Sequence, residues 1–429
     1  MGICLSNASG EIHEKKDSQE NLVYYEEKIS TNEIQRLGSL YSHEGSKGLN
    51  QDAAIVYEGY GMQDGALCGV FDGHGRNGHI VSKLVRNKLP SLLLNQKNAL
   101  AKVNTVGYGC NFLNHNEKVE GENLPNKDFN RWEEACVNAF KVMDKEIKLI
   151  ESLDCSCSGT TAVVVIRQGE DLSIANLGDS RAVMGTITQE DGVLRAVQLT
   201  TDLKPGLPME ADRIRKSNGR VVALKEEPHI QRVWLPHLDS PGLAMSRAFG
   251  DFLLKNHGII AIPDVSYRRL TSNDQFLVLA TDGVWDVLSN NDVVSIVSTE
   301  GSEEAAARAV VEAAVSVWKQ KFPSSKRDDC TAVCLFLQKI KRLKQTLLEP
   351  HKPISSEITV ILLSDPPFQA GHLCNGHPHF IMDKFMIPIN IGLFESLCTL
   401  GTICKPSELL LTVVWSMTFS FISSFFILQ

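Results

Sequence analysis

Short runs of β-branched and other apolar residues recur between about residues 38 and 338. They are Leu67 to Phe71, Thr160 to Ile166, Leu172 to Asn176, Arg181 to Met184, Leu194 to Leu199, Arg220 to Leu224, Phe276 to Ala280 and Cys330 to Leu337. Many are joined by turn residues instead of helices, which predicts sheets that are mainly antiparallel. Three stretches carry a helical period instead. Asn77 to Leu94 is one; Trp132 to Leu153 sets Trp132, Ala135, Phe140, Met143 and Ile147 near one face; Glu303 to Phe322 turns Val310, Val311, Ala314 and Val317-Trp318 inward. An apolar helix stripe must cover something, so the pattern predicts two sheets packed as a sandwich with helices outside. Residues 95 to 128 read as a polar insertion.

The pattern fades at both ends. Residues 1 to 34 are polar, with Leu22-Val23-Tyr24-Tyr25 as the main apolar run, and read as a flexible arm. Residues 35 to 338 form the predicted folded domain, and 339 to 429 a C-terminal extension that opens on the basic run Lys339 to Lys344. The uncharged segment 409 to 429 is long enough, at about 1.5 Å per residue, to cross a bilayer core of about 30 Å. Six Ser or Thr residues within it favour a tail that packs on nothing. His372, Cys374, His377 and His379 have the spacing of a small metal site but no framework of strands or helices around them, and read as solvated tail.

Composition narrows the function classes. The chain is 43% hydrophobic and 22% charged, as folded domains are, and its formal net charge of -8 leaves no basic field for nucleic acid. The eleven cysteines lack zinc-type spacing, and no signal peptide stands at the start. Free thiols in a reducing, cytoplasmic setting are the expectation.

Candidate chemistry lies in the acids. Asp72 ends the first apolar run, within Gly69-Val-Phe-Asp-Gly-His-Gly-Arg-Asn-Gly-His79. Asp179 follows Leu177-Gly178, Asp282 follows Ala280-Thr281, and Asp328-Asp329 opens the run from Cys330; Asp52 and Asp251 also lie at turns. Each alone reads as a turn former or helix cap. Together, strand-end carboxylates can gather on one rim, which is unfavourable unless cations neutralise them, and hard oxygen donors select magnesium or manganese. Two such ions would supply a bridging hydroxide for in-line displacement at phosphorus. The spacing Gly73-x-Gly75-x-x-Gly78 also suits a dinucleotide loop, but no acid for a ribose occurs between Asp72 and Glu117. A Cys followed six positions later by Arg, a Gly-x-Ser-x-Gly, a His-Glu-x-x-His and a Gly-x-x-x-x-Gly-Lys are all missing.

Six blocks appear in the order seen in metal-dependent type 2C serine/threonine protein phosphatases. They are Phe71-Asp-Gly-His-Gly75, Ser158-Gly-Thr-Thr-Ala162, Asn176-Leu-Gly-Asp-Ser-Arg181, Leu243-Ala-Met-Ser-Arg-Ala-Phe-Gly-Asp251, Ala280-Thr-Asp-Gly-Val-Trp-Asp286 and Arg327-Asp-Asp329. The chain from about Ile34 to Gln338 resembles that family, and its plant branch in particular. The resemblance implies an α+β fold, an αββα sandwich with a binuclear metal site at one end. By position it implies Asp72 bridging both ions, the Gly73 carbonyl on the first, and Asp282 and Asp328 on the second. Asp52 would act through metal-bound water, Asp179 with Asp282 would hold a weaker third ion, and Asp251 would lie near the same rim. His74 would protonate the leaving serine or threonine oxygen, or else simply hydrogen-bond a carboxylate.

Lys47 falls where animal members hold substrate phosphate with Arg, and Gln51 where many relatives have Glu. The segment Asp202 to Val221 resembles the flap beside the site. The cofactors implied are Mg2+ or Mn2+ and the partners phosphoproteins, with the chain a monomer; the other reading is a weakly catalytic pseudophosphatase that binds phosphoproteins. Met1-Gly2-Ile3-Cys4-Leu5-Ser6 fits N-myristoylation, with Cys4 as a second acyl acceptor, and two acyl chains would anchor the protein at the inner face of the plasma membrane. The nucleus is a further location open to such a chain.

Overall fold

The computed structural model describes residues 20–25, 36–106, 127–324 and 326–337, all within one compact unit, Met1–Glu349. Gly2, Cys4, the His372 to His379 cluster and the apolar segment 409 to 429 lie outside the described residues. Among those described, no helix is long and apolar enough to cross a membrane.

Two sheets form the centre. The first has six strands in the order Leu22–Tyr25, Ala53–Glu58, Gly65–Phe71, Ala162–Gln168, Asp171–Leu177 and Asp264–Arg269. The second has five, in the order Leu194–Gln198, Arg181–Ile187, Asp274–Ala280, Cys330–Phe336 and Gly38–His43. Every pairing in them is antiparallel except that of Leu22–Tyr25 with Ala53–Glu58.

Strand alternation assigns the layers. Cys68, Val70, Val163 and Val165 face Leu277, Leu279, Val333 and Leu335 between the sheets. Their neighbours Leu67, Phe71, Val164 and Ile166 point the other way, onto the helices Gly78–Val106 and Lys127–Lys148. On the opposite side Val278, Ala280 and Phe276 meet the helices Asn290–Thr299 and Ala306–Lys321. Both strand faces are therefore apolar, which explains the unbroken hydrophobic runs, and each buried Val or Leu contributes about 1.5–3 kcal/mol. The αββα sandwich is thus the observed fold.

Some expectations need correction. Residues 95 to 106 continue the first helix, and the second begins at Lys127, so the supposed insertion is helical at both edges. Leu22–Tyr25 is an edge strand within the stretch read as a flexible arm; Arg86 Nη1 donates to the Glu20 carbonyl at 2.8 Å beside it. A third, three-stranded sheet, Arg220–Ala223, Gln231–Trp234 and Pro241–Leu243, joins the helix Pro208–Lys216 around Ile214, Val233, Leu235 and Leu243. The segment Asp202 to Val221, which resembles a flap, supplies the helix and enters the first strand of this unit, called the flap below.

Candidate active site

Register places the acids. Ala53 pairs with Phe71, Val70 with Val163 and Ala162 with Leu177, so Asp52, Asp72 and Asp179 leave the first sheet at the same end. Ala280 pairs with both Ala332 and Arg181, and Cys330 with His43, so Asp282, Asp328 and Lys47 extend from the matching end of the second. Antiparallel pairing makes strand starts and strand ends alternate along one edge, which is how acids far apart in sequence meet.

The backbone around Asp72 is fixed by a small ribbon. Gly73–His74 pairs with Gly159–Thr160, which pairs with Phe249–Gly250. Thr161 closes it from both sides: its N–H donates to the Asp72 carbonyl at 2.9 Å, and its hydroxyl accepts from the Asp72 N–H at 3.0 Å. Gly73 is required by crowding, since a Cβ there would lie 2.4 Å from the Gln51 carbonyl oxygen and 2.5 Å from that of Gly78. Gly75 is required by its φ of +79°. Gln51 also donates from Nε2 to the Gly75 carbonyl at 2.7 Å, a bond that a glutamate could not make.

The electrostatics are those of crowded anions. Burial, then the charges of Asp282, Asp52, Asp328 and Asp179, raise Asp72 well above the usual carboxylate range. Asp282 is raised in the same way by burial, Asp179, Asp286 and Asp328. Burial and the charge of Asp329 push Asp52 up to about 8, against a 2.9 Å bond from the Thr281 hydroxyl that favours its anion. Asp328 and Asp329 divide their work: Asp329 accepts from the N–H groups of Gly45 at 2.7 Å and Gln51 at 2.8 Å, while Asp328 forms an ion pair with Lys47. Burial lowers the Lys47 pKa, but Asp328, Asp282 and Asp72 outweigh it and the net direction is up.

Asp251 and His74 form a separate pair. His74 Nε2 lies 2.7 Å from Asp251 Oδ2, and Asp251 is 1% exposed. This is a hydrogen bond to a carboxylate, and it leaves Nδ1 of the ring free of a protein partner. Burial lowers its pKa, the Asp251 charge and hydrogen bond raise it, and the net direction is up. One Asp251 oxygen is thus committed to the imidazole, which sets it apart from the acids facing Asp72. Asp251 holds φ +50°, a left-handed conformation uncommon for a non-glycine residue.

Asp179 is buried, with Oδ2 3.1 Å from Lys204 Nζ and Oδ1 without a hydrogen-bond partner. The acids singled out from the sequence did not include Asp286, which sits four residues past Asp282 and crowds the same carboxylates, although its exposure to water screens much of that effect. Its spacing, one turn along the helix begun by Asp282, was the signal that could have found it. Lys204 gave no sign of its role, because its partner lies 25 residues away on another loop.

These residues fit divalent cations on the chemistry of their donors: several oxygen ligands, few compensating charges, and a buried carboxylate oxygen left unpaired. Among the described residues no three His, Cys, Asp or Glu side chains close into a ready coordination shell, so the fit rests on charge and burial.

The chain matches the family model for protein phosphatase 2C over residues 43–320. It is 52% identical to probable protein phosphatase 2C 72 of Arabidopsis thaliana, an alignment covering 79% of this chain and 98% of that protein. It is 47% identical to probable protein phosphatase 2C 12 of Oryza sativa subsp. japonica, over 79% and 92%. The structure is similar to that of a serine-threonine phosphatase 2C from Toxoplasma gondii, with a TM-score of 0.56 and 25% identity over 69% of this chain and 93% of that one. The chain belongs to the protein phosphatase 2C family, whose members are metal-dependent serine/threonine protein phosphatases.

Proposed function

We propose that this chain hydrolyses phosphoserine and phosphothreonine in proteins at the end of the sandwich where Asp72 and Asp282 meet. The observation that carries this reading is the mutual crowding of Asp52, Asp72, Asp282 and Asp328, a concentration of carboxyl groups that bound cations would neutralise. Asp72, Asp282, Asp328 and the Gly73 carbonyl would hold two ions of Mg2+ or Mn2+, with Asp52 supporting them through water and Asp179, Asp282 and Asp286 facing a weaker third. Such ions, when bound, lower the pKa of water and draw negative charge from the phosphoryl oxygens.

The remaining steps fall to side chains. Lys47, half-exposed beside Asp328, is placed to neutralise an incoming phosphate as a point charge. Asp251 fixes the His74 ring through Nε2 and stabilises its protonated form. His74 Nδ1 has no protein partner, and the ring held in this way would supply the proton to the leaving oxygen. An alkoxide leaves poorly without that proton, whereas an aryl oxide needs it far less.

The direct test is phosphate release from a phosphothreonine peptide. Release should require Mn2+ or Mg2+ and stop with EDTA; release that survives EDTA would overturn the reading, and a chain that binds phosphopeptide but never turns it over would support the pseudophosphatase instead. The motif at Gly2 and Cys4 supports action at the cytoplasmic face of a membrane. Gly2→Ala should then shift the full chain from the membrane to the soluble fraction, and an unchanged distribution would remove acylation as the anchor.

A further inference from the structure

We infer that Lys204 is a tethered counter-cation that competes with a divalent ion for the carboxylates of Asp179, Asp282 and Asp286. The inference rests on the metal-dependent reading above and adds to it a residue of the flap. Lys204 Nζ lies 3.1 Å from Asp179 Oδ2, and Asp282 and Asp286 also act on its charge. One ammonium is thus paired with Asp179 and lies in the field of two further carboxylates. Asp179 is 1% exposed and its second oxygen, Oδ1, has no partner at all. A buried carboxylate oxygen left unpaired is costly, and an ammonium on a flexible stem, already engaged with Oδ2, has not satisfied it.

The placement of Lys204 is built into the chain. The Leu203 N–H donates to the Gly178 carbonyl at 2.9 Å, which ties the lysine to the loop that carries Asp179. The Leu203 carbonyl accepts from the Ser246 N–H at 2.8 Å and from its hydroxyl at 2.7 Å, and that hydroxyl also reaches Glu210 Oε2 at 2.5 Å. Lys204 is thus held at the root of the flap and aimed at the acids, with a side chain 46% exposed that can swing into water.

Two cations cannot share Asp179 without strong mutual repulsion at such range. Lys204 neutralises this corner when no ion is there and weakens the ion that binds. By reciprocity the ion displaces the ammonium from Asp179 as it enters, so occupancy of this corner and the position of the flap root are coupled.

The experiment counts bound Mn2+ by electron paramagnetic resonance on the full chain, for the wild type, Lys204→Met, Lys204→Arg and Lys204→Met with Asp286→Asn. Lys204→Met should bind its weakest ion about tenfold more tightly, within the usual range of coupling between sites. Lys204→Arg should resemble the wild type, and Asp286→Asn should remove the gain. An isotherm of Lys204→Met that superimposes on the wild type overturns the inference, as does a gain that survives Asp286→Asn. Should Lys204→Met not fold, amine labelling of the wild type decides the matter: labelling of Lys204 should rise as Mn2+ saturates the weak site, and flat labelling overturns the inference. Mn2+ binding to none of the forms would instead bring down the metal-dependent reading, and this inference with it.

Discussion

Two regions of this molecule gather buried charge, and they resolve it in opposite ways. In the flap, Glu210 is 3% exposed and meets Arg213 at 2.6 and 2.8 Å, Arg247 at 2.8 and 3.1 Å, and the Ser246 hydroxyl. Burial alone would push its carboxyl up, but the bonds from Arg247, Arg213 and Ser246 bring it down to about 2. At the sandwich end, Asp52, Asp72 and Asp282 are driven up, because acids outnumber the cations Lys47 and Lys204. The flap network completes itself and holds a shape. The rim has no such internal balance, which is what the proposed ions would supply. The same functional group thus separates a structural from a functional cluster once the partners are counted.

Replacing Glu210 tests the self-sufficient half. Glu210→Gln leaves two arginines facing a neutral amide and should cost about 3 kcal/mol of stability at neutral pH, read from denaturant unfolding. Because the folded carboxyl is depressed from its ordinary 4.5 to about 2, its contribution is fully present above about pH 4.5 and is lost as pH falls through about 2. The gap between wild type and variant should therefore close over that window. A gap that persists unchanged to pH 2 would show that the charge of Glu210 is not what stabilises the flap.

His74 and Asp251 lie between the two classes, since this acid has a built-in partner inside the functional end. Asp251→Asn and His74→Asn should each slow hydrolysis of a phosphothreonine peptide by about a hundredfold. The same variants should slow p-nitrophenyl phosphate far less, because that leaving group needs no proton. Equal losses on both substrates would make the pair structural, like the flap network.

The sequence disclosed the rim more readily than its wiring. Asp72, Asp179 and Asp282 each follow an apolar strand within two residues, so a local pattern marks them, and register then carries them to one end. The core stripes Trp132 to Ile147 and Val310 to Ala314 are equally local and are buried as read. The bond from His74 to Asp251 spans 177 positions and no local period encodes it. The flap helix Pro208–Lys216 escaped notice because it is short and buries only Glu210, Ala211 and Ile214, one of them a charged residue. The polar residues beyond Leu94 predict a helix end there, yet the helix runs on to Val106 with Leu100 still packed on the core, because its other face is solvated.

If the rim is unstable alone and stabilised by divalent ions, as proposed, thermal unfolding of the metal-free chain tests it most directly. Asp72→Asn removes one crowded charge, so in EDTA it should melt above the wild type, while Mn2+ should raise the melting temperature of the wild type and do little for the variant. A metal-free Asp72→Asn that melts below the wild type, with a wild type indifferent to Mn2+, would contradict the claim.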